Sequence, residues 1–187
     1  MSKYNKIRDK VKTGDCILVK GKGPISRFIQ LWTKYSHCYM VVRPNTYEGL
    51  EDRVFLLDST YYGVRLVLLS NLIDNYNGQI DLFQVHGMKK ETEEKILVDA
   101  IIASASQIKY DYFGLFKNII GRTNLTLQRY FCSELIWAKW IKSNHIYLGA
   151  KTLTEHGTVK LMKGIAPRPG DIPKWVKGNL TTNINGR

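Results

Sequence analysis

The chain has 187 residues, 44% hydrophobic and 24% charged, with a formal net charge of +12. That length fits one domain with a substantial core, and the composition excludes disordered, collagenous and coiled-coil classes. No charge-free run exceeds nine residues, as in Ala100 to Ile108, far short of the ~18 apolar residues of a membrane helix, so no transmembrane span is expected.

In chain order, the basic N-terminus has no apolar run or cleavage site behind it, which predicts a cytoplasmic protein without a signal peptide. Asp15 to Val19 reads as a strand. Pro24 then opens a short helix through Ile25, Phe28, Ile29 and Trp32. His37–Val42 and Val54–Asp58 read as adjacent antiparallel strands separated by a polar loop, and Val64–Leu69 and Gln79–Val85 as two more, giving a sheet of about four to six strands. From Glu91 the texture becomes helical. Glu91, Glu93 and Glu94 fall in a first turn, and Ile96, Leu97, Ala100, Ile101 and Ile108 recur at helical spacing. Asp111–Ile120 and Phe131–Lys142 are two further predicted helices. Strands first and helices later argue for an α+β domain. Residues 1–175 are expected to form that single domain, and 176–187 a polar C-terminal tail, frayed from Asn179.

Charge is uneven. Residues 1–30 carry eight Lys/Arg against two acids, residues 139–187 nine against two, and the stretch between is almost neutral. Basic termini suit solubility or a polyanion such as anionic lipid or a cell-wall polymer. Nucleic acid is not expected, because the cations are scattered and do not alternate with aromatics. Cys16, Cys38 and Cys132 make neither a disulfide framework nor a zinc knuckle, and His37, His86, His145 and His156 include no pair on one helix face, so no metal is expected. Gly21-Lys22-Gly23 lacks the Gly-Lys-Ser/Thr ending of a phosphate loop.

Cys132 falls where the predicted helix Phe131–Lys142 begins, a position that favours the thiolate. His37 heads the second strand, facing the same way as Tyr39 and Val41, and Asp58 shares a face with Val54 and Leu56 on the next, so His37 and Asp58 are candidate neighbours. If both face the Cys132 helix, the three supply a thiolate, a base and an orienting carboxylate. Each residue alone has a plainer reading, a buried Cys, a structural His or a turn Asp. Cys38 alternates away from His37 and is expected to point out of the site, and Cys16 is expected in the core. Walls are expected from the long helix and from loops around Trp32, Tyr61, Tyr62 and Tyr112, whose aromatic character suits sugars, lipids or core packing alike.

Gly14-Asp15, Ser36-His37, Leu57-Asp58 before Gly63-Val64-Arg65, Tyr110-Asp111, Tyr130-Phe131-Cys132-Ser133-Glu134-Leu135 and Pro169-Gly170-Asp171-Ile172 resemble the permuted papain-like amidases, the YaeF/YiiX group of the NlpC-like superfamily. The resemblance spans about residues 12–175. It implies a circularly permuted papain-like α+β fold, an antiparallel sheet packed on helices with the nucleophile at a helix N-terminus. By that resemblance Cys132 is the nucleophile, His37 the base and Asp58 the third member, where the family commonly has Glu. Tyr35, Tyr130 and the backbone N–H of Cys132 are candidate oxyanion donors. No cofactor is implied. The implied activity is a cysteine hydrolase working through an acyl-enzyme on a peptide amide, with cell-wall stem peptide as the suggested substrate, reached from the cytosol by lysis, by virus- or phage-type delivery or in recycling. Two alternatives stay open, a lipid-directed acyltransferase or ester hydrolase and a non-catalytic basic binding module.

Overall fold

The computed structural model describes residues 2–44, 49–106, 117, 132–142 and 167–186. Its strands are β1 (Cys16–Gly21), β2 (His37–Val42), β3 (Phe55–Thr60), β4 (Gly63–Leu68), β5 (Gly78–Val85) and β6 (Gly178–Thr181). They form one sheet in the order β4-β3-β2-β1-β5-β6, with every neighbouring pair antiparallel. The helices are α1 (Lys3–Arg8), α2 (Pro24–Gln30), α3 (Leu69–Asn75), α4 (Lys90–Ala105), α5 (Cys132–Lys142) and α6 (Ile172–Trp175), the last preceded by a 3-10 turn at Pro169–Asp171. The predicted helix Asp111–Ile120, apart from Lys117, and the Tyr110-Asp111 pair, Tyr112, Tyr130, His145 and His156 lie outside the described residues.

Alternation along the strands divides the core in two. Cys16, Leu18, Cys38, Met40 and Leu57 share a cluster with Ile96 and Ala100 of α4 and Ile136, Trp137 and Trp140 of α5. Ile17, Val19, Val41 and Leu56 form the other, with Ile7 of α1 and Leu69 and Ile73 of α3. The sheet is therefore packed on both faces, and its strands carry the near-continuous apolar runs that two-sided burial requires. Burying an aliphatic side chain such as Leu135 or Ile136 is worth about 1.5–3 kcal/mol, so α5 is fixed chiefly by its apolar face. The Trp140 indole adds a bond of 3.2 Å to the carbonyl of Gly14.

Two short helices escape the pattern of the sequence. In α1 the Ser2 hydroxyl accepts from the Asn5 N–H at 3.2 Å, yet only Ile7 is buried, so its apolar period is too short to read. In α3, Leu69 and Ile73 sit one turn apart directly after the strand, and β-prone Leu and Ile hid the change of element.

The C-terminal segment is a larger correction. Residues 176–187, read as a polar tail frayed from Asn179, include β6, which pairs with β5 from Leu82↔Thr181 to Val85↔Gly178. Beyond it the buried Asn185 side chain accepts from Ile80 N–H at 3.1 Å and donates to Gly78 C=O at 2.8 Å. An edge strand needs backbone pairing more than apolar side chains, so a polar sequence served.

Candidate active site

Serine 36 places the first residue of the site. Its N–H donates to Val19 C=O at 2.9 Å, and its hydroxyl accepts from Gly21 N–H at 3.0 Å. These bonds tie the end of β1 to the start of β2 and fix His37, whose Cα partner is Val19. Beside it, β3 and β4 are joined by a two-residue turn at Tyr61-Tyr62, with Gly63 at φ 92. That positive φ favours glycine, and the turn's register sets Asp58 opposite Arg65.

The His37 Nε2 lies 2.8 Å from Asp58 Oδ1. The other carboxylate oxygen, Oδ2, accepts from Arg65 Nε at 3.1 Å. Asp58 is almost fully buried, so both of its oxygens are committed to these partners in a setting of weak solvent screening. Arg65 is steadied in turn by the Tyr62 ring, 5.1 Å from its guanidinium carbon. Tyr39 presents its ring edge-on to the imidazole, centroids 4.6 Å apart.

Cys132, the first residue of α5, interacts with both His37 and Cys38. The hydrogen bond from Cys38 is the largest influence holding the Cys132 thiol well below its ordinary range. Burial opposes it, and the positive His37 reinforces it. Burial would depress His37, but the negative Cys132 and the bonds to Asp58 and Cys132 outweigh it, pushing its pKa up to about 10. Cys38 is driven well above the ordinary thiol range, by burial first and by Cys132 second, which suits it as the S–H donor. Burial, charge and hydrogen bonding together thus favour a thiolate–imidazolium pair with a neutral thiol beside it.

The helix bearing Cys132 is braced at its start, where Ser133 Oγ donates to the Pro167 carbonyl at 2.6 Å. The same closing segment reaches the approach to β2, since Gly170 N–H donates to Thr33 Oγ1 at 3.0 Å. A Cβ at Gly170 would come within 2.5 Å of that oxygen, so the close approach requires glycine.

Cys132, His37 and Asp58 are therefore brought together, while two expectations fail. Cys38 does not point out of the site. Its strand face is the one α5 covers, and Cys132 sits at the end of β2, where it meets both Cys38 and its neighbour His37. Tyr35 is buried with its hydroxyl donating to Asp81 Oδ2 at 2.7 Å, so that donor is already engaged and unavailable to an oxyanion. Arg65 went unread as a site residue, although a two-residue turn after Thr60 would have paired it with Asp58.

The antiparallel sheet packed on helices, with a thiol at a helix start at one end of it, is the fold of the permuted papain-like cysteine hydrolases. The chain belongs to the permuted papain-like amidase enzymes of the YaeF/YiiX, or C92, family, whose sequence model matches residues 10–175. Its fold is similar to a crystal structure described as metalloprotein yiiX from Escherichia coli O157:H7, at 21% identity and a TM-score of 0.60, covering 91% of this chain and 95% of that one. No curated protein matches the sequence. In this chain, no three His, Cys, Asp or Glu side chains among the described residues are grouped to hold a metal ion.

Proposed function

We propose that the protein hydrolyses an amide bond in a peptide through an acyl-enzyme on Cys132. The observation that carries this reading is the single chain of contacts from Cys132 through His37 to Asp58. With Nε2 held by Asp58, Nδ1 is the ring nitrogen left to exchange a proton with Cys132. The thiolate attacks the carbonyl carbon, and imidazolium His37 returns its proton to the departing amine as the acyl–sulfur bond forms. Water, deprotonated by His37, then attacks the thioester, releasing the acid and restoring the Cys132 thiolate beside imidazolium His37. Asp58 holds the ring in the productive tautomer, and Arg65 holds Asp58. The backbone N–H of Cys132 is the proposed oxyanion donor.

Cell-wall stem peptide is the first peptide class to test. An acyl group carried on a lipid is the second reading, favoured by the apolar side chains that α2 turns to solvent. Intact-mass measurement after incubation with stem peptides, simple peptide amides and phospholipid separates the two. An acyl adduct on Cys132 from a peptide, with release of the amine and none in Cys132→Ala, supports the proposal. Transfer from phospholipid alone favours the second reading, and no adduct from any donor in a folded wild type counts against both.

A further inference from the structure

The catalytic end of the sheet carries an unusual concentration of exposed apolar side chains. The strand pairings Val19↔His37 and Thr60↔Gly63, with Met40 opposite Leu57, put the end of β1, the start of β2 and the β3–β4 turn at that same end. There α2 and the two residues that follow it expose Ile25 (75%) and Leu31 (74%), with Phe28 and Trp32 packed edge-on against each other, centroids 4.8 Å apart. The turn adds Tyr61 (62%) and Tyr62 (67%).

This exposure is built into the fold. Buried Ile29 anchors α2, and Gln30 Nε2 donates to Gly21 C=O at 2.8 Å and Ser26 C=O at 3.0 Å, fastening the helix with its other apolar residues outward. Cations accompany them. Lys20, Lys22, Arg27 and Lys34 lie on the segment from Cys16 to Arg43, which contains no Asp or Glu, and Arg65 stands beside Tyr62. Isolated exposed apolar residues are ordinary, but a cluster ringed by cations is not. Protein–protein interfaces are depleted in Lys, whereas Trp, Tyr, Phe and Leu interleaved with Lys and Arg suit the boundary between lipid headgroups and acyl chains.

We propose that α2 and the β3–β4 turn dock the protein on an anionic lipid bilayer, with the Cys132–His37 site at the docked end. The apolar side chains enter the headgroup boundary while Lys22, Arg27 and Lys34 meet lipid phosphates, each cation contributing about fivefold in binding. The surface that matters is then this patch, which holds Lys20, Lys22 and Arg27 of the basic N-terminal stretch, and not the basic residues that precede β1 or those of the C-terminal stretch. Docking needs no chemistry, so it stands or falls separately from the acyl-enzyme proposal.

The test is cosedimentation of the full chain with vesicles of phosphatidylcholine containing about a third phosphatidylserine, and with pure phosphatidylcholine. Expected are binding to the anionic vesicles only, wild-type binding by Cys132→Ala, and losses of about tenfold or more for Ile25→Asp/Leu31→Asp and for Lys22→Glu/Arg27→Glu. A control of equal charge, Lys6→Glu/Lys10→Glu on the N-terminal region, should lose far less. Circular dichroism checks that each variant is folded, and these positions are solvent-facing. The proposal is overturned if wild type does not bind at low salt, if the control loses as much as Lys22→Glu/Arg27→Glu, or if Ile25→Asp/Leu31→Asp binds normally. It is equally overturned if the patch proves to join two copies, seen as a dimer that Ile25→Asp/Leu31→Asp dissociates without any vesicle binding.

Discussion

Asp58→Asn probes the arrangement most sharply, because it changes charge with almost no change in shape. Asp58 accepts on both oxygens, from His37 at 2.8 Å and Arg65 at 3.1 Å. An asparagine can accept on only one. If its oxygen stays with Arg65, its amide N–H faces His37 Nε2, which must then be the unprotonated nitrogen. The proton moves to Nδ1, and the ring can no longer accept the Cys132 proton. A hydrogen bond to a charged group is worth about 1.5–3 kcal/mol, so losing it should lower the His37 pKa by about one to two units from its value near 10. Combined with the wrong tautomer, the expected fall in kcat/KM is about 10³–10⁴-fold. Turnover of whichever substrate forms the Cys132 adduct reads the rate, and nuclear magnetic resonance of the imidazole reads tautomer and pKa. An Asp58→Asn enzyme within a few-fold of wild type, with an unchanged His37 titration, would refute the reasoning.

Further expectations follow from neighbouring contacts. Cys38→Ala removes the strongest influence lowering the Cys132 thiol, so alkylation of Cys132 near neutral pH should slow several-fold, with Cys38→Ser keeping most of the rate because a hydroxyl can still donate. Lys139 Nζ meets Asp99 Oδ2 at 2.6 Å with both side chains largely buried, so Asp99→Ala, which strands a buried ammonium, should cost about 3 kcal/mol in urea unfolding. Lys139→Met/Asp99→Leu should cost clearly less, and equal losses would contradict this. The His37–Cys132 pair also shapes stability against pH. His37 is raised from 6.5 to about 10, so its contribution is complete below about 6.5 and lost as pH rises through about 10. Cys132 is depressed from 9.0, so its contribution is complete above about 9 and lost as pH falls through its lowered value. The opposing slopes offset each other between about 6.5 and 9, leaving an alkaline decline toward pH 10 that unfolding curves of His37→Ala should lack.

Much of this arrangement is written locally. The strand runs at His37–Val42 and Gln79–Val85, the helix from Glu91 and the one at Cys132 follow from side-chain periodicity, and they match β2, β5, α4 and α5 closely. Pairing His37 with Asp58 needed only the rule that alternate residues share a strand face. What the rule could not supply is which face α5 covers. That is decided by packing between segments far apart in sequence, and Cys38 was consequently turned the wrong way. Tyr35 failed for a related reason, since its partner Asp81 lies on β5, two strands across the sheet from β2. The polar residues after Val176 showed no apolar period because β6 joins an edge through its backbone. Trp32, Tyr61 and Tyr62 read only as aromatics suited to sugars, lipids or core packing alike, and it is their accessibility that shows them facing solvent and not the core.

The central claim is that Cys132 is an activated nucleophile paired with His37. Its most direct test is the rate of alkylation of each cysteine across pH, read by mass spectrometry in wild type and in His37→Ala. The account predicts selective labelling of Cys132 with an apparent pKa well below the ~8.5 of a free thiol, shifting upward when His37 is removed, while Cys16 and Cys38 stay inert. A Cys132 that labels with an ordinary thiol profile, or one indifferent to His37, would contradict it.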